Sequence, residues 1–264
     1  MEARAAYVAA MADPALPGVV KHNLEAVYHV SYGRAFFKCR GCMLAPALCV
    51  CSALARRSPA PHRLAVLMHH KEYGRASNTG CLLAPSVGAT VHVSGVEADE
   101  AALHAALAAA GEGGAAVLWP GEGAVSLEEL RASTPPARWD AGMLLIAVDA
   151  TWGSARKLVK RVPPGVPRLA LPAGAFAPGR SLLFPVRKYE GPCAERFCTF
   201  EAAIALLDAL GALKAGEREV LTLNLKIKVD ALLKHKNRRP VYGADTADAL
   251  AAAHAALLNE LRQD

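Results

Sequence analysis

The sequence contains no apolar run approaching the roughly 18 residues of a membrane span, so no membrane-spanning helix and no membrane partner are expected. The stretch Met1 to Ala12 is rich in alanine but carries Glu2 and Arg4 and has no secretory core, which argues against a signal peptide. Glu2 and Asp13 also argue against a transit peptide; a cytoplasmic location is the expectation, with a nuclear or organellar one open. No G-x-G-x-x-G follows the first apolar run, leaving a Rossmann cofactor site without support. A G-x-S-x-G elbow and a Ser-His-Asp ordering are also missing, so a hydrolase has none either. There is no internal repeat and no low-complexity segment beyond a high alanine content. What is there is 264 residues, 53% hydrophobic and 20% charged. That length buries a full core as one large α/β domain, with or without a small appendage.

Acidic residues are scarce in two places. Residues 31 to 75 hold eight Lys/Arg against Glu72 alone, and residues 156 to 196 hold nine against Glu190 and Glu195. The net charge is +6. Solvated helix faces are the plain explanation. An anionic partner, most commonly nucleic acid, is the functional one.

Seven cysteines are present, an odd number that argues against a disulfide scaffold. Cys39, Cys42, Cys49 and Cys51 lie within thirteen residues as C-x2-C-x6-C-x-C, while Cys81, Cys193 and Cys198 are scattered. Two close pairs suit a tetrahedral Zn2+ site, each pair supplying two thiolates from one tight turn. Arg34, Lys38 and Arg40 would offset the charge of four thiolates, and Gly41 lets the chain turn within the first pair. Free thiols and a redox pair are the alternatives. A closed four-cysteine site has no open coordination position, so such a metal holds the fold or grips RNA and does no chemistry.

Residues 1–30 read as a helical segment broken at Asp13-Pro14 and Pro17-Gly18, and residues 31–60 as the four-cysteine module. Residues 61–240 read as an α/β domain, and residues 241–264 close with a helix over 246–261. Strands are predicted at Leu64–His69, Thr90–Ser94, Ala115–Trp119, Met143–Val148, Arg168–Leu171 and Leu182–Val186. Helices are predicted over 78–84 with Ser77 as N-cap, and over 99–110, 126–132, 153–161, 199–210 and 217–233. Strands alternating with helices imply a mostly parallel sheet covered on both faces. Ligands bind beyond the carboxyl ends of such strands, so the loops that follow them carry the candidates.

Asp149-Ala150-Thr151-Trp152 is the most informative of these loops. Asp149 ends the most hydrophobic strand, Thr151 is placed to cap the next helix, and Trp152 offers a flat apolar surface. Helix capping with a core tryptophan is the plain alternative to a partly desolvated base beside a stacking ring. Arg156, Lys157, Lys160 and Arg161 follow at helical spacing and suit phosphates. Ser77-Asn78-Thr79-Gly80 is a polar helix start, and Trp119-Pro120-Gly121 a glycine-containing strand exit. His69 and His70 sit at a strand end, where a structural role is commoner than a catalytic one. Cys198, Thr199 and Glu201 open a helix, Glu201 in the first turn where the dipole favours a carboxylate.

Taken together, the segments resemble the DTW-domain family of tRNA-uridine aminocarboxypropyltransferases. That family runs from a C-x2-C…C-x-C cluster through H-x-K/R-E…S-N-T-G/A, an aromatic-P-G/S-E exit and D-G/A-S/T-W to a late C/S-T-x-E-A. Here the order is Cys39/Cys42/Cys49/Cys51, His69-His70-Lys71-Glu72, Ser77-Asn78-Thr79-Gly80, Trp119-Pro120-Gly121-Glu122, Asp149-Ala150-Thr151-Trp152 and Cys198-Thr199-Phe200-Glu201-Ala202. It spans about residue 34 to 236. The S-R-Y-R-L-R-like run frequent in the family reads here Arg180-Ser181-Leu182-Leu183-Phe184-Pro185-Val186-Arg187-Lys188, which keeps charge at Arg187 and Lys188.

The resemblance implies a SPOUT-like α/β fold with a knotted cofactor site. It also implies transfer of the 3-amino-3-carboxypropyl group of S-adenosylmethionine to N3 of a tRNA uridine, leaving methylthioadenosine. Asp149 is the expected base. Asn78, Thr79, Trp119, Pro120, Gly121, Thr151, Trp152, Cys198, Thr199 and Glu201 are expected around the cofactor. Arg156, Lys157, Lys160, Arg161, Arg187 and Lys188 are expected on tRNA phosphates, which makes binding salt-dependent. An RNA-binding protein without transfer activity and a SPOUT-type methyltransferase are the other readings.

Overall fold

The computed structural model describes residues 2–176, 180–187 and 196–243. The predicted C-terminal helix over 246–261 and Lys188 lie outside these residues.

Five strands form one all-parallel sheet in the order β2-β1-β4-β3-β5. They are β1 (Arg63–His69), β2 (Thr90–Ser94), β3 (Ala115–Leu118), β4 (Leu144–Asp149) and β5 (Arg168–Leu169). β4 is hydrogen-bonded on both sides, to β1 and β3, with Met68 opposite Asp149. Burial on both faces explains why β1 and β4 read as continuous apolar runs without alternation.

The pleat nonetheless divides their side chains. Leu64, Val66 and Met68 of β1 join Leu145 and Ala147 of β4 in one core, with α3 (Leu83–Val87), α8 (Thr199–Ala209), α9 (Glu217–His235) and the cysteine module. Ala65, Leu67, Leu144 and Ile146 face the other way, onto α4 (Glu97–Ala110) and α7 (Trp152–Leu158). Helices therefore cover both faces of the sheet. α1 (Glu2–Ala12) and α2 (Gly18–Ser31) are separated where the Pro-containing break was predicted. α5 (Leu127–Ser133) starts at a capping box in which the Ser126 hydroxyl accepts from Glu129 N–H and the Glu129 carboxylate accepts from Ser126 N–H.

Three local predictions are corrected. Leu182–Val186 is a run of turns and no strand: Phe184 N–H bonds Ser181 C=O, Val186 N–H bonds Leu183 C=O, and the Glu201 carboxylate takes Leu182 N–H. The helix after β1 opens as a 3-10 turn over Gly80–Leu82. Its capping oxygen belongs to Asn78, whose Oδ1 accepts from Cys81 N–H at 2.9 Å, and not to Ser77. A short helix α6 (Pro136–Asp140), led by proline at its first position, has no counterpart among the predictions.

α9 ties the linker after the module to the core. Asn224 donates to Ala55 C=O and accepts from Ala55 N–H, and Glu217 accepts from Ser58 N–H at 2.7 Å. These buried polar residues cost little because each is hydrogen-bonded.

Candidate active site and metal centre

The chain adds β2 on one side of β1 and then crosses to place β3, with β4 inserted next between β1 and β3 and β5 added beyond β3. The strand order therefore reverses beside β1 and β4, where a crevice opens beyond the strand ends. A cleft of about 730 Å³ lies there, in the range that takes a cofactor-sized ligand. Asp149, Thr151 and Trp152 come to it from the end of β4, Trp119 and Pro120 from the end of β3, and Glu72, Arg75 and Thr79 from the loop after β1. Cys198 and Thr199 arrive with the start of α8, together with Phe197, Arg196 and Arg187.

Asp149 is 5% exposed and held from two sides. Thr199 Oγ1 donates to Oδ1 at 2.6 Å, and the Asn78 side-chain amide donates to Oδ2. A carboxylate oxygen accepts more than one hydrogen bond, so this grip orients the group without exhausting it. Gly80 makes the approach possible: a Cβ there would stand 2.7 Å from Asp149 Cγ. Behind this layer, the ammonium of fully buried Lys228 donates to the Asn78 carbonyl and to Cys81 Sγ. Asn78 thus lines no part of the cleft but positions the residue that does.

Glu72 is the second carboxylate of the cleft, and pattern reasoning placed it in a motif without assigning it a role. Burial, then the charge of Asp149, push its pKa above the ordinary range, against Arg75. Arg75 pairs with it at 2.7 Å. Arg187 Nη2 donates to Ser77 C=O at 2.8 Å and lines the cleft, a position nearer a bound small molecule than an outer phosphate surface. Trp119 and Trp152 stand with ring centroids 6.1 Å apart, and the Arg196 guanidinium lies over Trp152 at 5.1 Å. Phe176 and Phe197 stack at 3.7 Å on the facing wall. Burial, then the Glu201 charge, push the Cys198 thiol up, so it remains protonated near neutrality and is no nucleophile.

Several predicted residues sit elsewhere. Glu201 does not reach the cleft; its carboxylate accepts from the Ser181 hydroxyl and from the N–H groups of Leu182 and Cys198, capping α8 and fixing the 181–183 turn. Gly121 lies in the exposed turn beyond Pro120 and is not among the lining residues. Arg156, Lys157 and Lys160 are exposed beyond the start of α7. Arg161 is exposed as well, but its guanidinium meets Glu100 at 2.6 Å and Ser94 Oγ at 2.8 Å.

His69 and His70 face α2. His70 is 1% exposed, lies 3.3 Å from a Glu25 oxygen and has its ring 4.7 Å from that of His22. Burial, then the charge of His70 on His69 and of His22 on His70, push both down to about 4. Their unfolded value near 6.5 is higher, so between these limits the unfolded chain binds more protons. Their contribution is complete above about pH 6.5 and is lost as the pH falls toward 4. Urea midpoints are expected to fall over that window by the equivalent of a few kcal/mol for the pair, discounted for screening. A midpoint level from about pH 7 to about pH 4.5 would contradict this.

The four cysteines of the module come together as expected. Their sulfurs all lie within 4.8 Å of one another, with Cys39–Cys51 at 3.5 Å and Cys42–Cys49 at 3.8 Å. These are far beyond a disulfide bond. A tetrahedron with metal–sulfur distances near 2.3 Å has edges of roughly 3.8 Å, so the donor set fits a zinc-sized ion. Burial opposes the Cys39 thiolate, but N–H groups of Cys42 and Gly41 donate to it and bring its pKa to about 7. Gly41 is required by close approach, since a Cβ would stand 2.9 Å from Cys51 Sγ.

Among the described residues, no helix is long and apolar enough to cross a membrane. No solved structure matches the chain. The family model of the DTW domain matches residues 36–233, a span that takes in the cysteine module, the whole sheet and every wall of the cleft.

Proposed function

The chain belongs to the DTW-domain family, the domain family of tRNA-uridine aminocarboxypropyltransferases, and we propose on that premise that it transfers the 3-amino-3-carboxypropyl group of S-adenosylmethionine to N3 of a tRNA uridine. The observation that carries the reading is the make-up of the cleft. Aromatic walls suit two flat bases, while paired carboxylates and arginines suit a group bearing both an ammonium and a carboxylate.

S-adenosylmethionine supplies a sulfonium whose attached carbons are already electrophilic, so the protein's task is positioning. The N3–carbon bond forms as the carbon–sulfur bond breaks, and the N3 proton leaves to a carboxylate. Asp149, gripped by Asn78 and Thr199, is the proposed acceptor, and Glu72, a second carboxylate of the cleft whose pKa burial and the Asp149 charge raise, is proposed to share that role. Arg75, Arg187 and Arg196 give the lining its positive charge. Uridine N3 is on the Watson–Crick edge, so the base enters unpaired or flipped, and Trp152, 42% exposed at the mouth, offers it a stacking surface. Arg156 and Lys157, exposed in the last turn of α7, and Lys160, exposed in the 3-10 turn after it, are proposed phosphate contacts, which makes tRNA affinity fall steeply with salt. The four thiolates of Cys39, Cys42, Cys49 and Cys51 are proposed to hold one structural Zn2+.

Purified protein, an unmodified tRNA transcript and S-adenosylmethionine, followed by mass spectrometry of the digested nucleosides, test the reading. The expected product is a uridine heavier by one aminocarboxypropyl group, with methylthioadenosine released. A methylated nucleoside with S-adenosylhomocysteine would replace the proposal with a methyltransferase. RNA binding with no product would leave a binding protein.

A further inference from the structure

Between Glu25 and Glu72 the chain carries no acidic residue at all. In the middle of that stretch, between α2 and Cys39, two adjacent phenylalanines stand in solvent: Phe36 is 59% exposed and Phe37 79%. Their rings meet edge to face, 4.6 Å apart and perpendicular. Tyr32, Arg34 and Arg40 around them are also exposed.

This segment is anchored. Ala35 is buried, Lys38 Nζ donates to Gly74 C=O at 2.6 Å, and two turn bonds, Phe36 N–H to Gly33 C=O and Lys38 N–H to Ala35 C=O, close the backbone. The anchor is the loop that carries Glu72 and Arg75 into the cleft, and Arg34 is near enough to Glu72 for its charge to act on that carboxyl. A pair of exposed aromatic rings beside exposed cations, one loop from the cleft, has the make-up of a stacking platform for unpaired nucleotides.

We propose that Phe36 and Phe37 stack on an unpaired base of the RNA, with Arg34 and Arg40 on its flanking phosphates, and so hold the strand beside the cleft. This rests on the tRNA reading above and adds a second contact to it. Charge favours RNA over an apolar protein partner, because the exposed charged residues beside the rings along the chain, Arg34 and Arg40, are cations.

The test compares the full chain with Phe36→Ala/Phe37→Ala, Phe36→Leu/Phe37→Leu and Phe37→Trp, using fluorescence anisotropy with an unmodified tRNA transcript. Both rings are exposed, so zinc content, thermal midpoint and S-adenosylmethionine affinity by calorimetry are expected to stay at parental values. The alanine and leucine variants are expected to bind tRNA roughly tenfold more weakly or worse. Phe37→Trp is expected to keep parental affinity and to show tRNA-dependent quenching beyond that of the parent's own three tryptophans. Affinity of the alanine variant within about twofold of the parent, with the parent binding tRNA, overturns the platform and leaves the tRNA reading standing. Loss of binding that coincides with a change in molecular mass assigns the rings to self-association and also overturns it. A parent that binds no tRNA overturns both.

Discussion

Asp149→Asn is expected to slow aminocarboxypropyl transfer by about a hundredfold or more, the scale of a lost positioned proton acceptor, while tRNA affinity stays near the parental value. The substitution keeps shape and volume. It replaces one carboxylate oxygen with a donor, so one of the two donors that now converge on it, Asn78 or Thr199, loses its acceptor. A mismatch of this kind costs about 1–3 kcal/mol, a loss of several degrees in thermal midpoint that the fold survives. A second effect separates charge from geometry. Glu72 is raised first by burial and then by the charge of Asp149. Removing that charge is expected to lower the Glu72 pKa, as read by carbon-detected NMR titration of the side-chain carboxyl. Glu72 accepts a proton only when ionised, so the parental acid limb of kcat/KM is expected above the ordinary carboxylate range, activity rising with pH. A fully active Asp149→Asn enzyme would remove Asp149 from the mechanism. An unmoved Glu72 would break the coupling between the two carboxylates.

Cys42→Ser is expected to have the largest effect on stability. Purified parent should carry close to one zinc per chain (about 1:1). The variant should lose it, with a thermal midpoint lower by roughly 10 °C or more, or with little soluble protein. Cys42 is fully buried, and Met43 and Leu44 beside it belong to the core that contains α8 and α9. Releasing the metal therefore frees a segment whose apolar side chains help to close the main core. Chelator treatment of the parent should reproduce the drop and leave the variant unchanged. Metal-free parent that melts at the same temperature would refute a structural site.

β2 was located to the residue by its alternation, and β1 and β4 to within one residue at each end by the continuous apolar runs that burial on both faces produces. Leu182–Val186 is also apolar but holds Pro185, which cannot donate to a ladder, and is no strand. Its N–H groups go to Glu201 and to local carbonyls, and a carboxylate nineteen residues on from Leu182 leaves no trace in a local pattern. Asp149, Thr199 and Trp152 were legible as residues of the cleft because each ends or begins an element at the edge where the strands of the sheet end. Glu201, equally prominent in its motif, turned out to cap the helix. The dipole argument had already offered that role, and only three-dimensional distances chose it.

By itself the sequence determined the alternation of strands and helices, the four-thiol spacing and the order of polar loops, because these follow from neighbours a few positions apart. Only the tertiary structure decided that Glu72 faces Asp149, that Lys228 braces Asn78 from 150 residues away, that Arg161 is held by Glu100, and that Phe36 and Phe37 stay in water. The physical reason is that pKa shifts, buried hydrogen bonds and exposure depend on which side chains share a volume. Inserting β4 between β1 and β3 brings together loops that are far apart along the chain.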